Sequence, residues 1–198
     1  AIWEKHLSKS IPVQHLCGYT YWRDLKLIVS DKVLIPRPET ELIIDIILEI
    51  FKNNEKELFF AELGTGSGAI SIALALANPS WKGIATDINK DVIEIASKNF
   101  QNFSNQSNLQ FCCGHWWDPF ENKESELDLV ISNPPYIPED IYKKLPKEVK
   151  NFEPKIALLG GEDGLFHIKE IIHNAPKYLS KNGWLVIENH FDQGESVR

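Results

Sequence analysis

Beyond about residue 58 the chain alternates between short, unbroken apolar runs and longer stretches of helical periodicity. LFFAEL, GIATD, LQFCC, LDLVIS and WLVIE read as strands. GAISIALALA, DVIEIASKNF and HIKEIIHNAPKYL read as helices. The first helix is ended by Asn78-Pro79, and Pro176 is expected to kink or shift the last one. Strands that are apolar throughout are those covered by helices on both faces. Strand-helix alternation of this kind predicts an α/β fold, a doubly wound parallel sheet. Residues 137–163 form a long polar stretch, which in a compact domain marks a functional or mobile segment.

The first third has a different pattern. LKLIVSDKVLI predicts a short β-hairpin turning at Ser30-Asp31. PRPETELIIDIILEIF follows, with Glu41, Asp45 and Glu49 forming one charged helical stripe. Only Leu and Ile lie between them, so the rest of that helix is expected to be buried.

Composition narrows the picture. A length of 198 residues suits one domain, and 43% hydrophobic residues allow a core. The 25% of charged residues suits a soluble protein. A formal net charge of -7 would repel nucleic acid and favours a basic protein partner. The three cysteines, Cys17, Cys112 and Cys113, have neither CxxC nor metal-ligand spacing. Their sparse use suggests a reducing compartment, and Cys112 and Cys113 read as buried filler on an apolar strand. His6, His15, His167, His173 and His190 share no metal-like spacing and read as structural. No run has the length of a membrane span, and AIWEKHLSKS lacks a signal-peptide pattern, so a cytoplasmic protein is expected. The absence of Met, including at position 1, suggests that a segment precedes this one.

Two loops carry candidate chemistry. In ELGTGSGAISIA, between the first strand of the sheet and its helix, Gly64, Gly66 and Gly68 permit a tight turn with amides exposed at a helix start. The spacing is GxGxG, with Ala69 where the dinucleotide fingerprint allows Gly or Ala. Glu62, just before the loop, favours a cationic or amine-bearing ligand. Asp87 ends the next strand about twenty residues on, where a carboxylate can accept both ribose hydroxyls. An adenosine, a sulfonium and an amino acid tail meet these three hints, which is S-adenosylmethionine. The alternative is a turn whose glycines serve geometry alone, with Asp87 as a helix cap.

The second loop is Asn133-Pro134-Pro135-Tyr136, directly after LDLVIS. An amide or arylamine nitrogen is a poor nucleophile because its lone pair is delocalised. A site that methylates it should accept hydrogen bonds from its N–H groups. Asn133 offers a side-chain carbonyl, and Pro134 a backbone carbonyl without a competing N–H. Pro135 holds Pro134 extended, and Tyr136 offers a flat face for a planar group. The alternative is a rigid strand-to-loop turn.

NPPY after the fourth strand and GTGSG after the first resemble class I methyltransferases that modify nitrogens of planar systems. IPVQHLCGYTYWRDLKLIVSDKVLIPRPETE, VKNFEPKIALLGGEDGL and ENHFDQGESV resemble, more narrowly, the release-factor glutamine N5-methyltransferases. The resemblance runs from about Ile11 to the end of the chain. It implies a Rossmann-like sheet and methyl transfer from S-adenosylmethionine, with S-adenosylhomocysteine as product. The acceptor it implies is the glutamine of the GGQ motif in class 1 peptide-chain release factors, with consequences for translation termination. No membrane or direct nucleic-acid partner is implied.

The cofactor residues it implies are Glu62, Gly64, Thr65, Gly66, Ser67, Gly68, Asp87, Trp116 and Asn133. The acceptor amide is expected on Asn133, Pro134, Pro135 and Tyr136. Trp117 leaves the Trp116 assignment open by one residue, and His115 stands where the family has an acid. On this reading residues 1–38 are a linker and hairpin that follow a helical N-terminal domain, and 39–198 are the methyltransferase domain without its final strands. PRPETE serves either to rigidify a helix start or to roof the cofactor. Lys143, Lys144, Lys147 and Lys150 form a basic stretch, either a solvated face or a substrate contact.

Overall fold

The computed structural model describes residues 2–198. Two short helices, α1 (Ile2–Lys9) and α2 (Val13–Cys17), precede a hairpin of β1 (Tyr19–Trp22) and β2 (Leu25–Ile28). A 3-10 turn at Pro38–Thr40 leads into α3 (Glu41–Ile50). Then β3 (Phe59–Leu63), α4 (Ala69–Ala77), β4 (Lys82–Asp87), α5 (Lys90–Gln101), β5 (Leu109–Cys113) and β6 (Leu127–Ser132) alternate as expected. The segment after β6 holds α6 (Glu139–Tyr142) and α7 (Lys147–Phe152). The chain continues with α8 (Phe166–Tyr178), β7 (Leu179–Ile187) and α9 (Gly194–Val197). Among the described residues no helix is long and apolar enough to cross a membrane.

The five-stranded sheet is parallel, in the order β5-β4-β3-β6-β7. Successive residues of a strand face opposite ways, so each central strand feeds two cores. Phe60, Leu129 and Ile131 join Ile44, Ile47, Ile72 and Leu74 on the α3/α4 face. Ala61, Leu63 and Val130 join Ile171, Ala175 and Phe120 on the α8 face. The order reverses at β3, with β4 on one side and β6 on the other, so the loops after β3 and β6 are neighbours at the carboxyl edge. That is where open α/β sheets bind ligands.

The hairpin turns at Arg23-Asp24, not at Ser30-Asp31. Period-2 burial decides its place: Thr20, Trp22, Leu25 and Leu27 are buried while Tyr19, Tyr21 and Lys26 are exposed. The buried residues from Trp22 to Leu27 pack into the α3/α4 core, so the hairpin is part of the sheet domain's packing. Helix α3 is less covered than its composition predicts. Ile43, Ile44 and Ile47 are buried, but Leu42 and Ile46 remain 61% and 42% exposed. One helix face packs into the core, and among the described residues no element covers Leu42 and Ile46 on the other. Cys113 is exposed, because it lies at the open end of edge strand β5, and Cys112 is only half-buried. Helix α8 runs through Pro176 to Tyr178, with the proline in its last turn.

Candidate functional site

The loop after β3 is stitched to the end of β4. The Gly64 and Thr65 amides both donate to Thr86 O, at 2.9 and 2.8 Å. Gly64 takes φ +77°, and a Cβ there would lie 3.1 Å from the Trp116 ring. Glycine therefore satisfies both the turn and the close approach of the indole.

Below the loop, Glu62 is 2% exposed. One of its oxygens accepts from Thr65 Oγ1 at 2.6 Å and from the Ser71 amide at 3.1 Å. Burial pushes its carboxyl up to about 7, against the opposing pull of the Thr65 and Ser71 hydrogen bonds. The acid thus shapes the loop from beneath and can take up negative charge when a cation arrives.

Asp87 ends β4 and lines the same cleft. Its oxygens accept from the Gly66 amide at 3.2 Å and the Asn89 amide at 3.1 Å. It does not cap α5: that role belongs to Asn89, whose side chain accepts from the Asp91 amide. Burial raises the Asp87 carboxyl above its ordinary value despite these donors.

The cleft these residues line is mostly apolar, with a few polar groups converging on it, as in small-ligand sites. Trp116 and His115 line it, whereas Trp117 does not. Trp117 is 7% exposed and stacks on Tyr178, with ring centroids 4.6 Å apart and planes 5° from parallel. Trp116 has φ +35°, which turns it away from its neighbour's core position. It meets the His167 ring edge-on at 5.5 Å. His115 faces Glu170, Nδ1 to Oε1 at 3.4 Å.

The Asn133–Tyr136 turn emerges from β6 beside the glycine loop. Asn133 and Pro135 line the cleft. Asn133 Nδ2 donates to Thr40 Oγ1 at 3.1 Å, which sets the carbamoyl plane. Pro134 is buried. Tyr136 points elsewhere: its hydroxyl donates to Glu188 Oε1 at 3.0 Å. Burial, reinforced by the Glu188 charge, holds the phenol protonated far above the usual range.

Of the two walls that cover the cleft, PRPETE is legible in the sequence and the 154–157 segment is not. Val33, Pro36 and Thr40 line one side of the cleft and Pro154, Ile156 and Ala157 the other. Arg37 Nη2 lies 2.8 Å from both oxygens of Glu153, whose side chain is 2% exposed against 33% for Arg37. Trp22 Nε1 donates to Arg37 O at 2.7 Å. PRPET therefore both starts α3 and covers the cleft. His167, read as structural, also lines it. Lys143 and Lys144 pair with Glu139 and Asp140 one helical turn away, as on a solvated face.

A family profile described as "Methyltransferase domain" matches residues 54–196. The chain is 43% identical over 197 residues to the release factor glutamine methyltransferase of Prochlorococcus marinus, covering 99% of this chain and 67% of that protein. It is 40% identical to the protein of the same name from Bacillus cereus, covering 98% and 68%. The chain thus spans about two thirds of the length of these relatives. Among solved structures, the hMettl16 catalytic domain in complex with MAT2A 3'UTR hairpin 6 superimposes with a TM-score of 0.60 at 18% identity, over 76% of this chain and 56% of that one. Precorrin-6y C5,15-methyltransferase from Geobacter metallireducens gives 0.57 at 14% identity, over 86% and 71%. These two likenesses show the fold.

Proposed function

Because the chain belongs to the release factor glutamine methyltransferase family, we propose that it methylates the side-chain amide nitrogen of the GGQ glutamine in class 1 peptide-chain release factors. S-adenosylmethionine is the methyl donor in this reading. The observation that carries it is the meeting of Gly64, Thr65, Gly66 and Ser67 with Asp87 and Asn133 in one cleft; Gly68 packs against Ile72 and Ala96 instead.

The residues present fit that donor. Asp87 suits ribose hydroxyls, and the Trp116 ring suits a flat base. The buried Glu62 and the partly buried Asp87 outnumber the one lysine of the lining, Lys32, which favours a cationic ligand over a pyrophosphate. When bound, the cofactor supplies an electrophilic methyl group. Asn133 Oδ1 and Pro134 O are the acceptors for the two N–H groups of the incoming amide, whose lone pair is then turned out of conjugation toward the cleft. Thr40 holds Nδ2 of Asn133, so Oδ1 is the end left to the substrate. Positioning and electrostatics carry the rate in this scheme, without a strong base. Tyr136 does not line the cleft; with its hydroxyl anchored on Glu188 it backs the turn that carries the two acceptors. The net charge of -7 favours a protein acceptor over RNA or DNA, and a translation-factor substrate fits a cytoplasmic enzyme.

The test is mass spectrometry of release factor after incubation with the full-length protein and S-adenosylmethionine. A gain of one methyl group on the GGQ glutamine is expected. Label on RNA or DNA, with release factor unchanged, would overturn the reading.

A further inference from the structure

We propose that Gln193, which lines no part of the cleft, is a positioning residue for methyl transfer: it clamps the Asn133–Tyr136 turn through the Tyr136 carbonyl. This rests on the reading of Asn133 as the group that orients the acceptor amide, and it names what keeps that group in place.

Gln193 is polar yet only 6% exposed. Its carbamoyl group is engaged at both ends. Nε2 donates to Tyr136 O at 3.1 Å and to Asp163 O at 3.3 Å, and Oε1 accepts from the His190 amide at 2.9 Å. A buried amide is costly unless its polar atoms find partners. Here the partners come from three segments far apart in sequence: the turn after β6, the loop before α8 and the stretch after β7.

The middle segment presses on the turn without side chains between. The Ile137 amide donates to Leu158 O at 3.0 Å, and Gly160 N returns to Ile137 O at 2.9 Å. A Cβ on Gly160 would lie 2.7 Å from Pro135 O. A Cβ on Gly164, where φ is +76°, would strike Tyr136 O and Gln193 Nε2. Only glycine allows this backing to close.

The stretch after β7 also holds the far end of Tyr136, because Glu188 takes its hydroxyl. That stretch is itself fixed to β6 by the Glu188 amide, which donates to Ser132 O at 3.0 Å. Residue 136 is thus clamped at both its carbonyl and its ring. Between it and Asn133 stand two prolines with φ locked by their rings. Few free torsions remain to absorb a displacement, so a shift at the Tyr136 carbonyl is passed back to Asn133.

The test uses the full-length protein, with single-turnover methylation of release factor and calorimetric cofactor affinity measured on the same preparations. Gln193→Glu keeps the size and the acceptor for His190 N, but sets an oxygen against two carbonyl oxygens. Transfer should fall roughly 10- to 100-fold, the cost of a small misplacement in an active site, with cofactor affinity unchanged. In an Asn133→Ala background the same change should add almost nothing, because both act on one step. Gln193→Ala serves as the second variant and should behave alike. A wild-type rate for both variants would overturn the inference. So would losses that multiply with Asn133→Ala, or a parallel loss of cofactor affinity. Unmodified release factor with the wild-type protein would instead overturn the functional reading, and this inference with it.

Discussion

Asn133 Nδ2 donates to Thr40 Oγ1 at 3.1 Å, joining two residues 93 positions apart. The bond ties the turn after β6 to the strap that roofs the cleft, and on the proposed function it leaves Oδ1 as the end of the Asn133 amide offered to the substrate. Asn133→Ala should leave cofactor affinity nearly intact and lower single-turnover methylation by two or more orders of magnitude, about 3 kcal/mol. Asn133→Asp should fall between. It keeps an acceptor oxygen, and the Thr40 hydroxyl can rotate to donate to the carboxylate. An Asn133→Ala protein with the wild-type rate would reduce the turn to a structural element.

Asp87→Ala should weaken cofactor binding by about 1.5–3 kcal/mol, the range for hydrogen bonds to a charged group. Asp87→Asn is no safe control, since the carboxylate accepts from both the Gly66 and Asn89 amides. An amide nitrogen cannot accept, so one of the two bonds is lost and the glycine loop shifts with it. Calorimetry with the cofactor product checks both variants, and unchanged affinity for Asp87→Ala would remove the residue from the site.

The two neighbouring tryptophans should separate cleanly. Trp116→Ala removes a wall of the cleft, so cofactor affinity should drop with modest loss of stability. Trp117→Ala empties a stacked site against Tyr178 and should cost about 3–5 kcal/mol of folding stability. Its affinity for cofactor, measured below the melting transition, should stay near wild type. Denaturant titration alongside calorimetry distinguishes the two, and the reverse pattern would exchange their roles.

Glu62 makes stability depend on pH. Its carboxyl sits at about 7 when folded against an ordinary 4.5, so between those values the native state holds a proton that the unfolded chain has released. Stability therefore falls as pH rises through this window, and the cost is complete above about 7. Glu62→Gln should flatten that slope while keeping the oxygen that Thr65 and Ser71 need. Denaturant midpoints across the window test this. Equal slopes in both proteins would show that Glu62 does not titrate there.

The sheet and the two loops at its carboxyl edge were legible because each depends on local chemistry. A strand covered on both faces needs an unbroken apolar run, and LFFAEL and LDLVIS supply it. Three glycines between such a run and a helix, or two prolines directly after one, constrain backbone torsions whatever lies around them. Even the hairpin was present in the alternation of Thr20, Trp22, Leu25 and Leu27, although Ser30-Asp31 offered a louder turn signal. Its true turn needed Arg23 at φ +48°, a conformation nothing in that residue type announces.

Tertiary packing decided the rest. Trp116 and Trp117 are chemically identical neighbours, and only the positions of the Gly64 backbone and Tyr178 assign one to the cleft and the other to the core. Leu42 and Ile46 are as apolar as Ile43 and Ile47, yet remain exposed because the sheet reaches one face of α3. Arg37 meets Glu153 and Gln193 meets Tyr136 across 116 and 57 positions of chain. Local propensity carries no information about such partners, because a hydrogen-bonding group is satisfied by whichever complement the folded backbone brings within about 3 Å of it.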